Sequence, residues 1–164
     1  MANNYLEFSV EFPICKNLIV DAIAIDKELH QLDEMEEPEW SMHLRLFGKD
    51  FLEAFMEDGY IGFSTEINTV DNTYGIYCEE YGEVERAALY IQMLLRLKIP
   101  TVDHVLLQWA EYCSKPRPFN FGGGACLIIK DKIIWQETAD DWVKREIKTR
   151  QACQDIATLY PEQE

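Results

Sequence analysis

The sequence predicts an α+β domain: a mostly antiparallel sheet with its helices packed on one face. Two patterns carry that prediction. Apolar residues alternate at period two in several short stretches and recur at helical spacing in longer ones. The stretches follow one another as strand, helix, hairpin, helix, strand, hairpin, helix rather than as a regular β-α alternation.

Residues 5–12 alternate, with Leu6, Phe8, Val10 and Phe12 on one face, and Pro13 ends this first strand. From Asn17 the period becomes helical, through Leu18, Ile19, Ala22, Ile23, Ile25, Leu29 and Leu32, and the helix runs out in a solvated acidic stretch at 33–39. Residues 40–47 are ambiguous, because Met42, Leu44 and Leu46 alternate over too short a run to separate strand from helix. Residues 50–58 read as a short helix that Gly59 closes. Residues 60–70 and 73–78 alternate on either side of Asp71-Asn72, two residues that tolerate the left-handed conformation of a tight turn, and so predict a hairpin.

The helix over 83–98 is the clearest element. Val84, Ala87, Ala88, Ile91, Leu94 and Leu95 share a broad face, acids lead the first turn, Arg96 and Lys98 close the last, and Pro100 stops it. Residues 104–113 form a strand with Val105, Leu107 and Trp109 on one face and Leu106, Ala110 and Tyr112 on the other; apolar groups on both faces predict a central position. Residues 125–129 and 133–135 around Asp131-Lys132 predict a second hairpin. Thr138 then caps a last helix, with Asp141 in its first turn and Trp142, Val143 and Ile147 docking it on the sheet. This order fits a ferredoxin-like core extended by a C-terminal hairpin and helix.

At 164 residues the chain is expected to form one domain, and a hydrophobic fraction of 48% gives it a core to build despite a net charge of −15. No apolar run approaches the ~20 residues of a membrane helix, and the N-terminal residues lack the pattern of a secretory leader, so a cytoplasmic setting is expected. Cys15, Cys78, Cys113, Cys126 and Cys153 form no short pair, and His30, His43 and His104 lack ligand spacing with them or with each other. The expectation is therefore no disulfide, no metal and no cofactor.

The segment from Cys113 to Ala125 is the least ordinary in the chain. Lys115, Arg117 and the backbone N–H groups around Gly122, Gly123 and Gly124 have the makings of an anion-binding concavity. It lacks the spacing of a phosphate-binding loop and leads into a strand rather than a helix, which favours a bent connection with a glycine bulge. Cys113-Ser114 has no base supplied by a motif, so covalent catalysis has no support beyond a tertiary approach of His30 or His43. The block Cys113-Ser114-Lys115-Pro116-Arg117, followed by Phe121-Gly122-Gly123-Gly124-Ala125 and Trp135, resembles one found in small uncharacterised phage, prophage and plasmid proteins, over residues 109–142. The resemblance implies a mobile-element origin in a bacterial or infected-host cytoplasm and carries no activity.

The charge map is the strongest functional clue. Residues 1–86 hold twenty acids against five bases, whereas 87–164 hold ten of each, so the whole net charge belongs to the first half. Clusters at Asp33, Glu34, Glu36, Glu37 and Glu39, and at Glu79, Glu80, Glu83 and Glu85, lie beside Trp40, Tyr60, Tyr77 and Tyr81. Aromatic anchors with steering charges around them suit a protein partner. The expectation is a non-enzymatic binding protein or inhibitor, a nucleic-acid mimic that occupies the basic surface of a host, defence or toxin protein. Direct nucleic-acid binding is disfavoured because the chain repels phosphate. The alternative is a small enzyme or ligand-binding domain that holds an anion at Lys115, Arg117 and the glycines.

Overall fold

In the computed structural model, residues 4–34, 40–113, 122–137, 141 and 144–149 are described. The first alternating stretch forms β1 (Asn4–Pro13), and a short 3-10 turn (Lys16–Leu18) leads into α1 (Ile19–Glu34). The ambiguous segment is helical, as α2 (Trp40–Phe47), and α3 (Lys49–Asp58) follows after Gly48. Gly59 caps α3 in the left-handed conformation at φ 72°, donating its N–H to the Phe55 carbonyl. The predicted hairpin is β2 (Ser64–Asn68) and β3 (Thr73–Cys78), with Asn72 at φ 57° in its turn. The Asn68 side chain closes that turn by accepting from the N–H groups of Val70 and Asp71. Then come α4 (Val84–Arg96), β4 (His104–Cys113), β5 (Gly122–Ile129) and β6 (Lys132–Trp135).

The strands lie in the order β2-β3-β1-β4-β5-β6, and every neighbouring pair is antiparallel. Four strands in the order β2-β3-β1-β4, with α1 leading to β2 and α4 leading to β4, make the ferredoxin-like arrangement; β5 and β6 widen it past β4. Helices cover one face. Inward-pointing Phe8, Phe12, Ile76, Leu107, Cys126 and Ile128 share a single core with Ala22, Leu29 and Leu32 of α1 and with Ile91 and Leu94 of α4. Each fully buried Leu or Ile contributes about 1.5–3 kcal/mol, so α1 and α4 hold to the sheet by their apolar stripes.

Two polar clusters sit inside this apolar frame. The Asp26 carboxylate accepts the Tyr74 hydroxyl at 2.7 Å and the Thr65 hydroxyl at 2.5 Å, and the hydroxyls of Tyr74 and Tyr90 meet at 2.8 Å. Burial pushes both tyrosine hydroxyls well above their ordinary range, so they remain protonated hydrogen-bonding groups. The buried guanidinium of Arg86 donates to the carbonyls of Ile61 at 3.1 Å and Ala54 at 2.8 Å and to Asp58 at 2.8 Å, and lies 4.7 Å from the Tyr60 ring centre. It thus ties the last turn of α3 and the segment leading to β2 to α4.

Some expectations change. β4 is central in the sheet, between β1 and β5, yet the described helices cover only one of its faces: Leu107 is fully buried while Leu106 is 53% exposed. The glycines expected in a bulge lie inside β5, where Gly122, Gly123 and Gly124 face Glu111, Ala110 and Trp109 in unbroken register. The second turn accordingly falls at Lys130-Asp131. Ile23 and Ile147 are exposed rather than docked, although 144–149 is helical as expected. Thr138, Trp142 and Val143 lie outside the described residues or side chains.

Candidate functional site

Because period two sends alternate side chains to opposite faces, the residues between the core positions of β1 must point away from the helices. They are Tyr5, Glu7, Ser9 and Glu11. Register sets their neighbours: Tyr5 faces Tyr112 and Glu7 faces Ala110 on β4, while Ser9 faces Tyr77 on β3. The chain after β3 stays fastened to β1, since the Leu6 N–H donates to the Glu80 carbonyl at 2.7 Å and the Gly82 N–H to the Leu6 carbonyl at 3.3 Å. Glu79 and Glu80 are therefore held at the rim of the same face.

The result is an open concavity of about 870 Å³ at the middle of the uncovered face, where Tyr5, Glu7, Tyr77, Glu79, Glu80 and Tyr112 are among the lining residues. The rings of Tyr81, Tyr5 and Tyr112 stack in series, with centroids 6.1 and 5.2 Å apart and planes within 29° and 22°. The Tyr112 hydroxyl donates to the Glu7 carboxylate. That hydrogen bond, with burial and the negative charge of Glu7 behind it, pushes the hydroxyl up to about 12. No Lys or Arg is among the described residues lining the concavity, and neither Glu79 nor Glu80 is in an ion pair with a described base. Such a surface brings tyrosines and carboxylates together, which is chemistry for holding a cation.

The acidic residues singled out in the sequence separate in space. Glu79 and Glu80 line the concavity, whereas Glu83 and Glu85 flank a smaller hollow of about 430 Å³ on the helix side, beside Trp109 and Trp135. Glu83 also accepts the Tyr60 hydroxyl at 3.1 Å and lies 3.5 Å from the Arg86 guanidinium, so it belongs to the Arg86 cluster. Asp33 accepts the Ile61 N–H at 2.8 Å, and Glu34 is the last residue of α1. Glu36, Glu37 and Glu39 lie outside the described residues, as do Lys115 and Arg117.

The glycines have contacts of their own. Gly123 adopts φ 138°, and a Cβ there would stand 2.5 Å from the Trp109 carbonyl oxygen. A Cβ on Gly124 would stand 2.5 Å from the Trp109 indole, which lies across this position and meets Trp135 edge-on at 5.9 Å. These are packing requirements of the β4–β5 pair.

The three histidines do not come together, although His30 joins the Asp26 cluster at 3.8 Å from that carboxylate. His30 bonds the Thr65 hydroxyl at 2.9 Å, buried His43 lies 3.8 Å from Glu28, and His104 pairs with Asp103 at 2.5 Å. The His104 hydrogen bond holds the Asp103 carboxyl below its usual range. Among the described residues no three His, Cys, Asp or Glu side chains are placed to hold a metal ion, and Cys15, Cys78, Cys113 and Cys126 are free thiols. Burial pushes the Cys126 thiol up to about 11, away from the reactive thiolate. No described helix is long and apolar enough to cross a membrane.

No family model matches the chain, and no curated protein or solved structure is significantly similar to it. Fold and surface together define the class: a ferredoxin-like α+β chain with a widened antiparallel sheet, one face covered by helices and the other carrying an acid-lined aromatic concavity.

Proposed function

We propose that this chain is a non-enzymatic binding protein of a bacterial mobile element, and that it occupies a basic, nucleic-acid-binding surface of a host, defence or toxin protein. One observation carries the reading. Strands β2, β3 and β1 come from the half of the chain that holds the entire net charge, and they lie side by side on one side of the β1–β4 seam. A charge asymmetry along the sequence thereby becomes one across the molecule, which focuses negative potential as a competitor for a phosphate-binding groove requires. The mobile-element origin rests on the resemblance around Cys113 to Ala125.

The test is capture from bacterial lysate followed by kinetics on the purified partner. A basic nucleic-acid-binding protein is expected, displaced by added duplex DNA. Reversing Glu7, Glu66, Glu79 and Glu80 to Lys should slow association at least about tenfold, and reversing Asp103, Glu111, Asp131 and Glu137 about twofold or less, since screening acts beyond about 8 Å at physiological salt. Circular dichroism establishes that both variants fold. Equal effects of the two sets, or capture that DNA does not compete with, would overturn the reading.

A further inference from the structure

The concavity at the β1–β4 seam has a chemical preference beyond negative charge. We propose that it is a recognition site for guanidinium groups, and that the uncovered sheet face takes a basic segment of the partner whose arginines enter the concavity while an aliphatic side chain rests on the neighbouring strands. The proposal rests on the binding reading above and names the chemistry of its contact.

Three features favour arginine over lysine. Tyr5, Tyr77 and Tyr112 line the concavity, and the Tyr5 ring is stacked between those of Tyr112 and Tyr81. A planar, weakly hydrated guanidinium lies flat on such a surface, while an ammonium keeps its water more tightly. Carboxylate-bearing residues also come from two strands' sides of the hollow, Glu7 on β1 and Glu79 and Glu80 after β3, and a planar fork of N–H donors pairs with carboxylates bidentately where an ammonium acts as a point charge. The acceptors are, moreover, held in advance: Glu7 by the Tyr112 hydroxyl, and the backbone of Glu80 by Leu6. A volume of about 870 Å³ accommodates more than one side chain, which points to a segment rather than a lone residue.

The neighbouring surface sets the second contact. Leu106, Leu127 and Ile134 face one another across β4, β5 and β6, and Leu106 and Ile134 are 53% and 42% exposed. Leu106 stands two residues along β4 from Gln108, which lines the concavity, a separation of about 7 Å. An apolar side chain a residue or two from an arginine spans that distance.

The probes are acetylated and amidated hexa-arginine, hexa-lysine, and an arginine peptide with one central leucine, titrated by calorimetry at low and physiological salt. Hexa-arginine should bind at least about fivefold more tightly than hexa-lysine. Glu79→Gln with Glu80→Gln should weaken hexa-arginine about tenfold, while Glu53→Gln with Glu57→Gln, an equal change of charge on α3, should weaken it less than about twofold. Leu106→Ser should lower the affinity of the leucine peptide about threefold and leave hexa-arginine unchanged. Equal affinity for the arginine and lysine peptides, or equal loss from both pairs of Gln variants, would overturn the guanidinium site while leaving the acidic-face reading intact. An unchanged leucine peptide would remove the apolar contact. If neither peptide binds and the captured partner still does, the proposal fails and the binding reading stands.

Discussion

Strands β2, β3 and β1 and strands β4, β5 and β6 are two halves of one sheet, packed on the same helices but stabilised differently. The first half is anchored by polar groups inside the core: Asp26 with Tyr74 and Thr65, Tyr74 with Tyr90, and Arg86 of α4 bonded to the end of α3. The second half is joined chiefly by shape, with the Trp109 indole laid over Gly124 against Trp135 and with Val105, Leu107, Cys126 and Ile128 buried beneath α4. Its polar links to α4, from Gln92 to the Ile129 carbonyl and from Arg96 to the Lys130 carbonyl, lie at the end of β5. The acid-rich half carries buried polar atoms that each cost about 1–3 kcal/mol when orphaned, and both ring nitrogens of His43 and Nη2 of Arg86 have no hydrogen-bond partner among the described residues, whereas the other half closes chiefly by packing.

The largest expected effect tests the polar anchor. Arg86→Met keeps the apolar stem but leaves the Ile61 and Ala54 carbonyls without their donor, and stability to urea should fall by about 3–5 kcal/mol. A loss below about 1 kcal/mol would mean that α3 does not depend on this cation.

Next comes the packing of the other half. Gly123→Val and Gly124→Val should each cost about 1–3 kcal/mol, the first through its φ of 138° and the Trp109 carbonyl, the second by displacing the Trp109 ring. Gly122→Val should be milder, because the nearest atom to its Cβ is the movable carboxylate end of Glu111 at 2.8 Å. Three equal costs would mean that neither the positive φ nor the indole is what requires glycine.

The smallest effect lies at the seam between the halves. Tyrosine absorbance should show the Tyr112 phenol titrating near 12, and Glu7→Gln should bring it down toward the ordinary value of 10.0. The folded-state value is raised, so the stability from this contact is complete below about pH 10 and is lost as the pH rises toward 12. An unchanged titration in Glu7→Gln would show that Glu7 does not hold Tyr112.

Much of the fold was legible because periodicity is local. The outward set Tyr5, Glu7 and Ser9 follows from the inward set of β1, and α4 follows from its own apolar face. Segment 40–47 was not legible, since eight residues with alternating Met42, Leu44 and Leu46 satisfy either period. What decides it is packing: His43 and Phe47, one helical turn apart, are buried, while Leu44 is 47% exposed. Apolar groups on both faces of β4 placed it correctly at the centre, though Leu106 is apolar without being covered. Arg86 passed unnoticed as a core residue. Its signal was the unbroken apolar run from Ala87 to Ile91, which leaves a neighbouring side chain on that helix little room to face water, and ten of the thirteen α4 residues are in fact buried.

The sequence by itself determined the kinds and order of the elements and the confinement of the net charge to residues 1–86, because each is a property of neighbouring residues along the chain. Only the tertiary structure decided that the strands of the two charge halves become two sides of one sheet, that the described helices α1 and α4 pack on the same face of it, and that Tyr112 meets a carboxylate 105 residues away. Strand order depends on which distant hydrophobic faces can be buried under the same helices, and that choice is made by the whole core at once rather than by any one segment.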